Sequence, residues 1–268
     1  MKPETPITNQ QISEIDLALC RATLYSALAL GFRPPSQETI TRLISENGAA
    51  ALSDAAAALD PDHDPRLRSA ARNLAVGEKA SGAELSASYL RLFGHTARGL
   101  VPPYETEYGA GALFQQPQQM GDLTGFYLAF GLTVNPAEHE RPDHASCECE
   151  FLSFLALKEA YALESRDLPM LEEVRKATHL FLRDHFGRFV PAFARKLVAE
   201  GQGGFYGTLG ELCLRFVTVE CARLGVALGP QNLTLRPATD DRVPMACGSG
   251  AECVAMPGVC DPEENGSV

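Results

Sequence analysis

Residues 151–157, with the sequence FLSFLAL, are apolar on nearly every face of a helix. A surface helix keeps a polar face, so an element that is hydrophobic all round has to be surrounded by other elements. No segment shows sustained alternation of apolar and polar residues, which is typical of strands. The central helix, predicted from about Asp143 to Glu164, therefore needs other helices around it.

Helix signals recur from residue 13 to about residue 225. Ser13 and Ser81 each precede an acidic residue by three positions, which is the capping-box pattern of a helix start. The sequence predicts an all-α fold, a single irregular bundle of about ten helices, over residues 1–225. Residues 226–268 are rich in Gly and Pro and contain three cysteines, so we expect a loosely structured, cysteine-bearing extension there.

The charge of the chain limits its partners. The formal net charge of -11 argues against nucleic-acid binding, which needs a cationic surface, and favours a basic partner. The polar start is unlike a secretory signal, and no run approaches the roughly 20 apolar residues that span a bilayer. We therefore expect a cytoplasmic protein without membrane insertion.

Acidic residues concentrate where the central helix begins. Pro142 suits a position just before a helix, and Asp143 is a candidate N-cap. On a 3.6-residue period Asp143, Cys147, Glu150 and Phe154 share one face. We expect the acids to reach water or a partner, because an unpaired buried carboxylate is costly. An acidic patch beside an apolar helix is better suited to binding a cationic and hydrophobic peptide than to catalysis.

A second group of candidate residues is aromatic. Tyr89 and Phe93 are neighbours one helical turn apart, as are Tyr104 and Tyr108 on the next segment. The two prolines before Tyr104 predict a rigid turn that presents these rings with carboxylates between them. Core packing explains part of this pattern, and contact with a peptide or a cation explains the rest.

These motifs, in this order and spacing, resemble a known family. The chain has Tyr-x-x-Leu-Phe ending at Phe93, Pro-Pro-Tyr-Glu-Thr-x-Tyr ending at Tyr108, and Glu-x-Pro-Asp-His ending at His144. The downstream segment around residues 181–193 is also similar, with Phe189 where a Trp is common. Over about residues 13–225 the chain resembles the TorD/DmsD/NarJ-like chaperones that mature molybdoenzymes. It departs from them in having no Trp and in carrying the cysteine tail.

The resemblance implies a non-enzymatic, all-helical, cytoplasmic chaperone. It implies as partners the catalytic subunit of a molybdenum-containing oxidoreductase and its twin-arginine leader peptide. The chaperone would delay export until the client has received its cofactor; it would bind no cofactor stably itself, and the molybdenum cofactor would be handled by the client. We expect a monomer or a dimer. The predicted peptide-binding residues are Asp143, His144, Glu140, Glu148, Glu150, Tyr104, Glu105, Thr106, Tyr108, Tyr89 and Phe93.

Two other classes of protein stay open. The first is a regulatory protein that binds a metal or an iron–sulfur cluster through Cys247, Cys253 and Cys260, although their spacing lacks the paired ligands of zinc sites. The second is a small hydrolase using His144 with Glu148 or Glu150, for which the chain offers no nucleophile motif or phosphate loop. A protonated His144 would oppose an arginine, so leader affinity is expected to rise from pH 5.5 to pH 8.

Overall fold

The helix surrounded by other helices is present, and it is the longest in the structure. A computed structural model describes residues 12–60, 65–75, 81–94, 98–109, 116–135 and 140–237. Its helices are α1 (Glu14–Phe32), α2 (Gln37–Thr39), α3 (Glu46–Ala58), α4 (Pro65–Arg72), α5 (Gly82–Phe93), α6 (Gln116–Ala129), α7 (Ala145–Ser165), α8 (Leu168–Phe181), α9 (Gly187–Glu200) and α10 (Phe205–Leu224). Within these ranges there is no strand, only isolated bridges, which confirms the all-α prediction.

Helix α7 lies in the middle of the bundle. It packs most extensively against α1 and also against α8, while α9 and α10 form a second packed pair. A buried salt bridge ties the first pair together, because Arg21 of α1 donates to Glu159 of α7 at 2.7 Å. Arg175 of α8 donates to the other oxygen of Glu159 at 2.8 Å. The carboxylate is thus paired on both sides, as burial of a charge requires.

Among the described helices, α1 alone is long and apolar enough, by length and composition, to cross a membrane. Inside the bundle, 61% of that apolar stretch is buried, and the main contacts of α1 are with α7 and α3. A core helix of a globular fold meets the same criteria of length and composition.

Two short non-α turns shape the region around the start of α7. A 3₁₀ turn covers Glu105–Glu107, and a π-turn, Leu182–Phe186, joins α8 to α9. A side chain at Gly187 would come within 2.4 Å of the Leu182 carbonyl oxygen, so the junction after the π-turn requires a glycine. The π-turn brings His185 inward and places Arg188 on the next turn of helix.

Described residues that follow α10 pack against the helices. Val226 is buried, and the backbone of Arg236 donates to the Glu107 carbonyl at 2.8 Å. Contacts group Met1–Arg236 as one unit and Pro237–Val268 as another. Cys247, Cys253 and Cys260 lie outside the described residues, so the loosely structured tail and its metal-binding alternative stay predictions.

Candidate functional site

Helix α7 begins at a histidine cap. The Nδ1 atom of His144 accepts a hydrogen bond from the backbone N–H of Ser146 at 3.0 Å, and His144 has the extended backbone of an N-cap. The prediction that Asp143 is the N-cap is therefore wrong by one residue. The physical reason is that the Asp143 carboxylate is already engaged by Arg141 and Thr106.

Asp143 is fully buried and its oxygens are saturated by two residues. Arg141 forms a bidentate pair with it, Nε to Oδ1 at 2.9 Å and Nη2 to Oδ2 at 2.7 Å. The Thr106 hydroxyl donates to Oδ2 at 2.7 Å and its backbone N–H at 3.3 Å. The sequence analysis assigned Asp143 and Thr106 to the same site, but it did not assign Arg141 to it.

Tyr104 forms the aromatic side of the same cluster. The Arg141 guanidinium lies 4.4 Å from the centre of the Tyr104 ring, and the His144 ring meets it edge-on with centroids 5.2 Å apart. Burial, and then the nearby carboxylate of Glu140, raises the pKa of Tyr104 to about 12. The backbones are fixed together, since Glu105 N–H donates to the Asp143 carbonyl at 2.9 Å.

His144 is buried in a setting that keeps it neutral. Burial, with Arg33 and Arg141 nearby, lowers the pKa of His144 to about 3. The imidazole therefore carries no charge between pH 5.5 and pH 8. The expectation that its protonation controls leader affinity in that range is contradicted, because burial makes the charged form too costly.

The side chain of Glu105 faces the π-turn and the start of α9. Its carboxylate accepts from His185 Nδ1 at 3.0 Å and from Arg188 Nη2 at 3.2 Å, and the side chain is buried. Glu105 is therefore held by the π-turn and the start of α9, and its contact with a peptide stays a prediction. No sequence pattern predicts this pairing, because about 80 residues separate the partners.

Glu148 is buried without such a partner. Neither of its carboxyl oxygens has a hydrogen-bond partner among the described residues. Burial, and then the charges of Glu105 and Asp143, raise the pKa of Glu148 well above its usual range. The expectation that all the acids reach water or a partner is thus wrong here. A carboxyl group can be buried when it keeps its proton, because the neutral form is far less costly to desolvate.

An open furrow runs beside this cluster. It has a volume of 540 Å³ and combines apolar walls with a few charged groups. Its lining residues are Arg33, Pro34, Tyr127, Leu132, Thr133, Val134, Asn135, Glu140, Ser146, Cys147, Glu150, Phe151 and Phe154. Three of the four residues that the helical period placed on one face, Cys147, Glu150 and Phe154, do share this furrow.

Of the predicted peptide-binding residues, Glu140 and Glu150 line the furrow. Glu150 forms a salt bridge with Arg33, and both side chains are partly exposed. Burial is the main cause that raises the pKa of Glu140. The apolar wall from residues 127–134 was missed by sequence reasoning. The apolar residues that follow α6 are present in the sequence, but their place in the furrow depends on the loop folding back on α7.

The remaining predicted aromatic residues belong to the core. The rings of Tyr89 and Phe93 pack 4.9 Å apart, and both contact Tyr206. Tyr108 packs on Phe189 and donates its hydroxyl to the Pro102 carbonyl at 3.0 Å. All three predicted contact residues are nearly inaccessible to a peptide in this conformation. Their role in binding stays a prediction that requires the site to open.

Metal ligation finds no support in the part of the chain that the structure describes. No group of three or more His, Cys, Asp or Glu residues there could hold a metal ion. Cys147, in the furrow, is a free thiol, and burial with nearby carboxylates raises its pKa to about 12. At neutral pH it is a protonated, weakly polar wall residue.

Comparisons with known proteins identify similar chains. Residues 50–195 match the family described as nitrate reductase delta subunit. The chlorate reductase assembly chaperone protein of Ideonella dechloratans is 35% identical over 173 residues, 62% of this chain and 82% of that one. Chaperone protein TorD of Vibrio cholerae is 28% identical over 200 residues, 74% of this chain and 88% of that one. The perchlorate reductase assembly chaperone protein of Dechloromonas aromatica is 28% identical over 217 residues, 77% and 90% of the two chains.

Proposed function

The chain belongs to the nitrate reductase delta subunit family of TorD-like molybdoenzyme maturation chaperones, and from that premise we propose that it binds the leader peptide of a client oxidoreductase in the furrow beside α7. The client is the catalytic subunit of a molybdenum-containing enzyme. The chaperone acts in the cytoplasm as a binding protein and not as an enzyme. It keeps the client from export while the client receives its cofactor.

The observation that carries this proposal is the composition of the furrow. Its long wall is apolar, formed by Phe151 and Phe154 of α7 with Leu132 and Val134 of the loop opposite. Carboxylates of Glu140 and Glu150 stand along the same furrow. A twin-arginine leader combines two guanidiniums with an apolar stretch, so it matches both kinds of lining. A groove between helices commonly takes such a segment as a short helix.

The apolar part of the leader supplies most of the affinity. Exposed ion pairs contribute about 0.2–1 kcal/mol each, whereas buried apolar surface contributes about 25 cal/mol per Å². The carboxylates, together with the net charge of -11, mainly raise the association rate and orient the cationic end of the leader. A leader without its arginines should still bind, more slowly and with less selectivity.

A matched pair of substitutions on α7 tests the furrow. Phe154 lines it, whereas Leu157 lies on the same helix with about half of its surface exposed and does not line it. Phe154→Ser should weaken binding of a synthetic leader about tenfold or more, and Leu157→Ser should not change it. Titration calorimetry with the client's leader peptide measures both. Equal affinities in the two folded variants would mean that the leader binds elsewhere.

A further inference from the structure

The guanidinium of Arg141 is held on three sides by residues that the sequence analysis assigned to leader binding. Asp143 accepts two parallel hydrogen bonds from it, at 2.9 and 2.7 Å. The Thr106 hydroxyl accepts a third at 2.7 Å. The Tyr104 ring lies beneath the guanidinium at 4.4 Å. A bidentate carboxylate, a hydroxyl acceptor and an aromatic face together recognise the planar shape of a guanidinium and not only its charge.

The walls of this cluster do not depend on Arg141. Thr106 is fully buried and holds Asp143 through its own hydroxyl and backbone N–H. The backbones of Glu105 and Asp143 are hydrogen bonded to each other at 2.9 Å. By contrast, 40% of the Arg141 side chain is exposed, while none of the Asp143 side chain is. The occupant can therefore leave toward solvent, and the subsite that it leaves is already formed.

We propose that Arg141 is the resident occupant of a guanidinium subsite made of Asp143, Thr106 and Tyr104, and that an arginine of a bound peptide enters this subsite by displacing it. The existence of the subsite is independent of the proposed function, whereas the identity of the displacing arginine rests on it. Arg141 therefore competes with the arginines of any ligand for this subsite.

The exchange of one guanidinium for another is close to balanced. The incoming group regains both hydrogen bonds to Asp143, the contact with Thr106 and the cation–π contact with Tyr104. A lysine ammonium cannot form the two parallel bonds, so it does not compensate for the loss of Arg141. The subsite therefore discriminates between arginine and lysine while adding little to the affinity. This discrimination separates the inference from simple charge attraction, which treats both residues alike.

The subsite is connected to the furrow through Glu140. This residue lines the furrow, and its carboxylate interacts with the Tyr104 hydroxyl, at the far end of the ring on which the Arg141 guanidinium lies. A peptide whose apolar part lies against Phe151 and Phe154 would thus have its cationic end near Tyr104. Vacancy of the subsite is unfavourable, because it leaves the buried Asp143 charge without its partner. Departure of Arg141 is consequently coupled to arrival of the replacement.

Chemical rescue tests the subsite without any peptide. Arg141→Ala should lower the midpoint of thermal unfolding, and millimolar ethylguanidinium should restore a large part of that loss. Ethylammonium at the same concentration should not, and neither compound should raise the midpoint of the wild type or of an Arg141→Ala, Asp143→Asn double variant. Equal effects of the two cations on Arg141→Ala would overturn the subsite and would leave leader binding in the furrow untouched.

Peptide binding tests the displacement. Removal of the competitor should tighten binding of a twin-arginine leader about tenfold if Arg141 occupies the subsite about 90% of the time. The same leader with both arginines replaced by lysine should gain less than twofold, measured by fluorescence anisotropy. Unchanged or weaker binding of the arginine leader would overturn the displacement. Should Arg141→Ala fold poorly, Arg141→Lys keeps the charge without the planar fork, and a gain of the same sign, of a few-fold, is expected.

Discussion

Asp143 and Glu148 lie five residues apart at the start of α7, and both side chains are fully buried, yet the protein handles the two carboxyl groups in opposite ways. Asp143 is paired with Arg141 and hydrogen bonded by Thr106. Glu148 has no hydrogen-bond partner in the described part of the chain, and its pKa is raised well above the usual range. Burial alone therefore does not tell whether an acid is charged. The neighbours supplied by the fold decide it.

The sharpest contrast comes from replacing the paired acid with an apolar residue. Asp143→Leu leaves the buried Thr106 hydroxyl and N–H without their acceptor and Arg141 without its partner. We expect a loss of about 2–3 kcal/mol in the free energy of unfolding, below the range for fully buried pairs because Arg141 can turn to solvent. Urea unfolding at pH 7 measures it. A loss below about 0.5 kcal/mol would show that the pairing is not maintained in solution.

His144 represents a third way of burying a titratable group, as a neutral base. Its pKa of about 3 lies below the value of 6.5 for an unfolded histidine. Between these values the unfolded chain binds a proton that the folded chain does not, so stability falls as the pH drops. The loss from pH 6.5 to pH 5 should be about 1–2 kcal/mol, and His144→Asn, which keeps a capping side chain, should remove most of it. If the stability of the wild type and that of His144→Asn change with pH in the same way, the low pKa of His144 is contradicted.

Replacing the unpaired acid should have the opposite sign to Asp143→Leu. Glu148 has a folded pKa above its ordinary value of 4.5, so the folded state keeps a proton that the unfolded state loses as the pH rises. Its presence costs stability above about pH 4.5. Glu148→Met removes the buried carboxyl at similar volume, and we expect a gain of about 1–2 kcal/mol at pH 8 and a smaller gain at pH 5. Urea unfolding at both pH values checks it, and a loss of stability at pH 8 would mean that Glu148 is paired.

The smallest effect is expected at the exposed acid of the furrow. Glu150 and Arg33 form a salt bridge with both side chains more than one-third exposed. Glu150→Gln should change the free energy of unfolding by less than about 1 kcal/mol, since solvent screens such pairs. It should mainly slow the association of a cationic leader at low salt, with little difference at high salt. Stopped-flow association at two ionic strengths measures this, and a rate unaffected by the substitution at low salt would remove Glu150 from the encounter.

Local patterns predicted the helices of this protein well. Capping boxes at Ser13 and Ser81 are present as expected, because they involve atoms only three residues apart. The shared face of Cys147, Glu150 and Phe154 also follows from helical geometry alone. The N-cap was missed by one residue, because Asp143 and His144 are both able to accept hydrogen bonds at a helix start. The choice between them depended on Arg141 and Thr106, which hold the aspartate elsewhere.

The site was predicted only in part, because many of its contacts join residues that are distant in the sequence. Tyr104, Thr106, Asp143 and His144 were expected to lie together, and they do, through backbone hydrogen bonds between residues about 40 positions apart. The sequence did not predict that Thr106, Asp143 and His144 are buried. A sequence shows how many acids a segment carries, but the distance of each from a cation depends on contacts such as Glu105 with His185 and Arg188.

Local sequence patterns are enough to predict that this chain forms helices around one fully apolar helix, because helical periodicity and end signals are properties of neighbouring residues. They also predict that acids and aromatic rings gather where that helix begins. Three-dimensional packing was needed to show which acid is paired, which is protonated and which faces the furrow, because charge and pKa depend on burial and on partners brought from distant positions in the chain. The same long-range packing placed Arg141 in the subsite that a ligand's arginine would have to enter.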